Sequence, residues 1–103
     1  DEAVRKEFVR MAQNDESPLV RLYLASAMQR LSFKHRVPVL KALLGHAEDV
    51  DDQNLPLMYW YATEPVIVAD KKVAVQLLAA CKIPKIRQFI TRRMATGREE
   101  SGE

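Results

Sequence analysis

The chain has 103 residues and is short of what most fold classes other than all-α require. Three glycines and five prolines are too few turn formers for the many reversals of an all-β domain. The single cysteine, Cys81, excludes an internal disulfide and any CxxC or CxxCH motif. It lies in the apolar stretch Leu77-Leu78-Ala79-Ala80-Cys81 and reads as a small buried hydrophobe. No apolar run approaches the roughly 18 residues of a membrane-spanning helix. No secretory leader is visible, and Asp1 in place of an initiator Met reads as the start of a piece of a longer protein. Two histidines, His35 and His46, form no His-x3-His pair, and no Gly-rich phosphate loop or Ser-His-Asp order of convincing spacing exists. The expectation is a chain that is not an enzyme, with no catalytic, cofactor-binding or metal residues of its own. The net charge of +2 is small for a nucleic-acid surface.

What the sequence does contain is a helix opening written three times. Pro18-Leu19-Val20-Arg21-Leu22-Tyr23-Leu24, Pro56-Leu57-Met58-Tyr59-Trp60-Tyr61-Ala62 and Pro84-Lys85-Ile86-Arg87-Gln88-Phe89-Ile90 share an apolar residue two after the proline, an aromatic five after and an apolar residue six after. Met28, Val66 and Met94 each follow their proline by ten. Offsets of 2, 5, 6 and 10 fall roughly on one helical face, so Val20, Met58, Ile86 and Tyr23, Tyr61, Phe89 are expected in the core.

Six helices are predicted. The first, about 2–13, carries Val4, Phe8, Met11 and Ala12. Ser17 caps the second, about 18–31, with Pro18 in its first turn. The third, about 35–47, holds Pro38 in its first turn and a Leu40, Leu43, Leu44 stripe. The fourth, about 55–68, should kink or shorten at Pro65. Asp70 caps the fifth, about 71–81. The sixth, about 84–96, stops at Gly97 and leaves a polar tail over 98–103. The fold expected is an all-α, HEAT-like solenoid of three antiparallel helix pairs occupying residues 1–97. Repeat arrays of this kind mostly bind rather than catalyse. Cutting one out leaves apolar edges, so weak self-association through end helices, with Val4, Phe8, Ile90 and Met94 exposed, is expected.

Ser17-Pro18-Leu19-Val20-Arg21 and Ile83-Pro84-Lys85-Ile86-Arg87 resemble the second helix of HEAT repeats. A narrower likeness is carried by Ala25 to Leu31, by His46 to Tyr61 with its Asp51-Asp52-Gln53-Asn54-Leu55-Pro56-Leu57-Met58-Tyr59-Trp60-Tyr61 run, by Glu64-Pro65 and by Lys82 to Ile90. Over residues 17–96 the chain resembles the HEAT region of large exported proteins of Planctomycetes and Verrucomicrobia. Those join a β-propeller dehydrogenase-like domain, HEAT repeats and a cytochrome c domain. The resemblance implies a helical spacer or docking module in a periplasmic or exported redox protein, with haem c elsewhere in the parent.

Three constellations bear on binding. The loop Glu48-Asp49-Val50-Asp51-Asp52-Gln53-Asn54 alternates oxygen ligands but lacks the Gly and Glu that a calcium loop needs at its sixth and twelfth places. It reads as a solvated turn in which Asp52 or Asn54 caps the fourth helix. Asp51, Asp52, Asn54, Trp60, Tyr61 and Glu64 form the expected docking patch for a partner protein or a neighbouring domain. The acid-free stretch from Lys82 to Arg98 offers Lys85, Arg87, Arg92 and Arg93 as the alternative, a nucleic-acid surface.

Overall fold

The computed structural model describes residues 2–102, with side chains as far as residue 96. It is all-helical, and no strand occurs among the described residues. Helix α1 covers Glu2–Asn14, α2 Pro18–Ala27, α3 Phe33–Leu44, α4 Leu55–Ala69, α5 Lys71–Ala80 and α6 Pro84–Gly102. Single 3-10 turns follow α2 at Met28–Arg30 and precede α4 at Ala47–Asp51.

Local chemistry sets these boundaries. Ser17 caps α2, its side chain accepting from the Val20 amide at 3.4 Å, with Pro18 at the first helical position where a missing N–H is harmless. Asp70 separates α4 from α5 by accepting from the Lys72 and Val73 amides. Asp52, rather than Asn54, supplies the carboxylate at the start of α4, bonding the Leu55 and Asn54 amides at 2.9 and 2.8 Å.

Several expected boundaries shift: α2 ends at Ala27 rather than near 31, α3 ends at Leu44 rather than near 47, and three helices treat their proline or glycine differently from expectation. α3 begins at Phe33, so Pro38 lies inside the helix rather than in its first turn. The ring is tolerated there because Pro38 faces solvent. α4 runs past Pro65 to Ala69. Pro65 is also exposed, and it leaves the Tyr61 carbonyl without its helical donor on that side. One residue on, the buried Arg36 donates to the Ala62 carbonyl at 3.1 Å and ties α3 to this turn. α6 continues through Gly97 to Gly102, because a single glycine costs a helix only about 1 kcal/mol.

The helices pack in two rows. α1 lies on α3 and α3 on α5, while α2 lies on α4 and α4 on α6. Within the sequence, α1 also touches α2, α3 touches α4 and α5 touches α6. α4 meets α2, α3, α5 and α6, which is why its sequence is apolar on nearly all sides. The core gathers Leu24, Met28, Leu40, Leu43, Leu44, Tyr59, Ile67, Leu77, Ile83, Ile86 and Ile90. The amide of Lys82 donates to the Leu44 carbonyl at 2.8 Å and fastens the α5–α6 link to the end of α3.

The repeated openings do not face the way their spacing suggests. In α2 the buried residues are Arg21, Leu24, Ala25 and Met28; in α4 they include Tyr59, Ala62, Thr63 and Val66. The inward offsets from Pro18 and Pro56 are thus 3, 6, 7 and 10, not 2, 5, 6 and 10, whereas α6 keeps the expected phase, with Ile86 and Ile90 buried at offsets 2 and 6 and Arg87 and Thr91 exposed. Val20 and Met58 are half-buried, Tyr23 and Tyr61 are exposed, and Phe89 is half-buried; only Ile86 of the six expected core residues is fully buried. One residue of difference turns a helix by about 100°, enough to move a whole stripe from core to surface. Ile90, expected on an exposed end, is also fully buried, whereas Val4 is exposed and Phe8 and Met94 are half-buried.

Candidate interaction surface

The offset-3 position explains the rotation. It holds Arg21, Tyr59 and Arg87, each with a polar tip that reaches a partner across the packing. Arg21 is only 1% exposed. Its guanidinium grips Asp49 in two bonds, Nε to Oδ2 at 2.8 Å and Nη2 to Oδ1 at 2.5 Å, and donates from Nη1 to the Asp15 carbonyl. Tyr59 donates its hydroxyl to the same Asp49 Oδ2 at 2.7 Å. Arg87 donates to the carbonyls of Leu78 and Cys81. Arg21 and Arg87 therefore do the same job in two helices: each bonds a carbonyl six residues upstream, where the preceding helix has ended.

The acidic loop is thus not wholly solvated. Asp49 is buried and fully engaged, because a fork-shaped guanidinium and a phenol fill its lone pairs. A cation at this loop would have to displace both. The bond to Asp49 also holds Arg21 above its ordinary pKa, and burial, then the Asp49 hydrogen bond, push the Tyr59 phenol far up. Beside this node, His46 sets Nδ1 against Glu48 Oε2 at 2.9 Å and Nε2 against the Ala12 carbonyl. That contact closes the end of α1.

The sequence signal for the node was Arg21 itself, a cation within an apolar stripe. A buried arginine requires an acid, and Glu48 to Asp52 is the densest acidic run available. A second buried arginine, Arg36, has no carboxylate. Its two terminal nitrogens donate to the carbonyls of Ala62, Gln29 and Leu31, its buried Nε has no hydrogen-bond partner, and the guanidinium lies 5.1 Å over the Phe33 ring, while burial depresses its pKa.

With the polar tips turned inward, the residues at offsets 1 and 5 are turned out. Leu19 is 74% exposed, Tyr23 70%, Leu57 49% and Tyr61 54%. In α6 the same offsets hold Lys85 and Phe89, with the Lys85 ammonium 5.9 Å from the Phe89 ring. Tyr23 and Tyr61, aligned by the sequence repeat, form a surface ladder across α2 and α4, while their counterpart Phe89 in α6 is half-buried. Between α2 and α4 this surface sinks into a groove of about 660 Å³, lined by Leu19, Leu22, Tyr23, Ser26, Asn54, Leu57 and Met58.

The expected docking residues divide around this groove. Asn54 lines it. Tyr61 stands exposed farther along α4, and Asp51 and Asp52 are exposed just before the helix. Backbone bonds from Leu55 and Asn54 hold the Asp52 carboxyl below its usual pKa. Trp60 is half-buried instead, its ring centroid 5.2 Å from that of Phe89 in the α4–α6 seam. Glu64 is turned to the same seam, 3.7 Å from Arg93. Leu19, Leu22, Tyr23 and Leu57 were not among the expected residues, since Tyr23 had been assigned to the core.

The expected basic surface is largely occupied with its own fold. Arg87 bonds carbonyls, Arg93 pairs with Glu64 and Lys85 lies over Phe89. Arg92 remains on the shallow outer face of α6 with Pro84, Gln88 and Thr91. Among the described residues, no three of His, Cys, Asp and Glu gather where a metal ion would sit. No protein-family model, curated protein or solved structure matches the chain.

Proposed function

We propose that this chain is a non-catalytic helical-repeat interaction module. It would be a HEAT-like stack of three antiparallel helix pairs, serving as a docking or spacing element in a larger exported redox protein whose haem lies elsewhere. The observation that carries the binding role is the exposed ladder of Leu19, Tyr23, Leu57 and Tyr61 beside an apolar groove. Large apolar side chains recur at the same two offsets in successive helices and lie outside the core. A contiguous exposed patch of this kind marks an interaction site. The row-on-row packing and the shared task of Arg21 and Arg87 support the repeat reading. The resemblance across residues 17–96 supports the wider setting. The nucleic-acid alternative is weakened because three of its four cations are already engaged within the fold.

The test is a selection of binders from a displayed peptide library. Selected peptides should lose binding to a Tyr23→Lys/Leu57→Lys variant and keep it to a Lys85→Glu/Arg92→Glu variant. The reverse pattern, or salt-dependent binding of duplex DNA lost in the second variant, would contradict the proposal.

A further inference from the structure

We infer that the α2–α4 groove receives an amphipathic helix of a partner protein, with the helix's cationic end at the mouth formed by Glu16, Asp51 and Asp52. This rests on the interaction-module reading and adds the class of partner. The walls of the groove carry no charged side chain. Exposed acids stand just ahead of both walls: Glu16 immediately precedes the cap of α2, and Asp51 and Asp52 lie four and three residues before Leu55 opens α4. The side chains of Glu16 and Asp51 have no hydrogen bond or ion pair among the described residues, and Asp52 is held ionised by the Leu55 and Asn54 amides. The nearest arginine in sequence, Arg21, makes its side-chain hydrogen bonds to Asp49 and Asp15 and none to these three, and reaches Asp52 only as a lesser charge effect behind the two amides. Three carboxylates beside an apolar trough ask for an apolar ridge ending in Lys or Arg.

Other occupants fit less well. Among the described residues there is no strand edge on which an extended peptide would add a strand. An anionic membrane or a nucleic acid would be repelled by the acidic mouth. Among the described residues, and apart from the groove itself, a second copy of this chain offers only scattered exposed apolar residues such as Val68 and Val75, not a ridge of successive large ones. The outer face of α6 presents Arg87, Gln88, Thr91 and Arg92, and α1 exposes Val4 among charged residues. A helix, by contrast, lays side chains three and four apart into the trough between two packed helices.

The experiment uses the full chain and two synthetic helical peptides with the same leucine stripe, one ending in lysines and one in glutamates. Fluorescence anisotropy should show the lysine-ended peptide binding about tenfold tighter or better, a difference typical of a favourable charge contact. A Glu16→Gln/Asp51→Asn variant, which keeps the Asp52 cap and its charge, should reduce that preference severalfold while both peptides still bind. Equal affinity of the two peptides for the unmodified chain would overturn the inference and leave the apolar docking surface standing. A preference undiminished in the Glu16→Gln/Asp51→Asn variant would also overturn it. So would binding to anionic vesicles, or a dimer in sedimentation that Tyr23→Lys dissolves. If Tyr23→Lys/Leu57→Lys melts normally and binds both peptides undiminished, the interaction surface itself is wrong.

Discussion

Two regions of the same helices, α2 and α4, invert the usual distribution of residue types. Their inner faces meet at a charged node, where Arg21, Asp49 and Tyr59 are nearly inaccessible to water. Their outer faces meet at Leu19, Tyr23, Leu57 and Met58, a groove without a charge. A buried ion pair is weak evidence for stability, because desolvating two charges offsets much of their attraction. Its value here is positional: Asp49 fixes the rotation of α2 and of α4 together, and Arg21 also bonds the α1–α2 turn. That rotation presents the apolar ladder to solvent. The node is expected to matter greatly to folding and the groove hardly at all, so substitutions should separate them.

The largest effect is expected from breaking the node. Asp49→Ala leaves the Arg21 guanidinium buried without its counter-charge and should cost about 3–5 kcal/mol in urea unfolding. A loss near the ~0.5 kcal/mol typical of surface changes would mean that the node is solvated.

Next in size is a core control that touches neither region. Ile90→Ala should cost about 2–5 kcal/mol, since the fully buried side chain leaves a cavity between packed helices. Little change would place α6 loosely on α4.

Tyr59→Phe removes one hydrogen bond to a charged, buried acceptor and should cost about 1.5–3 kcal/mol. It also has a pH signature. The folded pKa of the Tyr59 phenol lies above its unfolded value, so its contribution is present in full below pH about 10 and is lost as pH rises beyond that. An absorbance titration should ionise Tyr59 only with unfolding. Ionisation of Tyr59 in the native state, identified by its loss in the Tyr59→Phe variant, would rule out the buried phenol.

These contrasts show what could be read from the chain and what could not. The caps were legible because they are local: Ser17-Pro18 and Asp70 announce helix starts whatever packs on them. So were the Leu40, Leu43, Leu44 stripe of α3 and the burial of Cys81. The facing of α2 and α4 was not, because both helices carry apolar residues on two sides. Tyr59, Trp60 and Tyr61 then supply an aromatic for any phase, and only Asp49, 28 residues from Arg21, selects one. The groove was half legible. Asn54 and Tyr61 were placed near a docking surface, but its α2 wall was assigned to the interior.

The smallest effect is expected on the groove. Tyr23→Lys/Leu57→Lys should change unfolding free energy by no more than about 0.5 kcal/mol per site, since neither side chain is buried. A loss of several kcal/mol would make these residues part of the core and end the contrast.

The central claim, that the apolar ladder exists to bind, is tested most directly by mapping amide resonances as the lysine-ended peptide is titrated into the chain. The account predicts shifts confined to Leu19 through Ser26 and to Asn54 through Tyr61, saturating together. Shifts concentrated along Pro84 to Thr96, or none at saturating peptide, would contradict it.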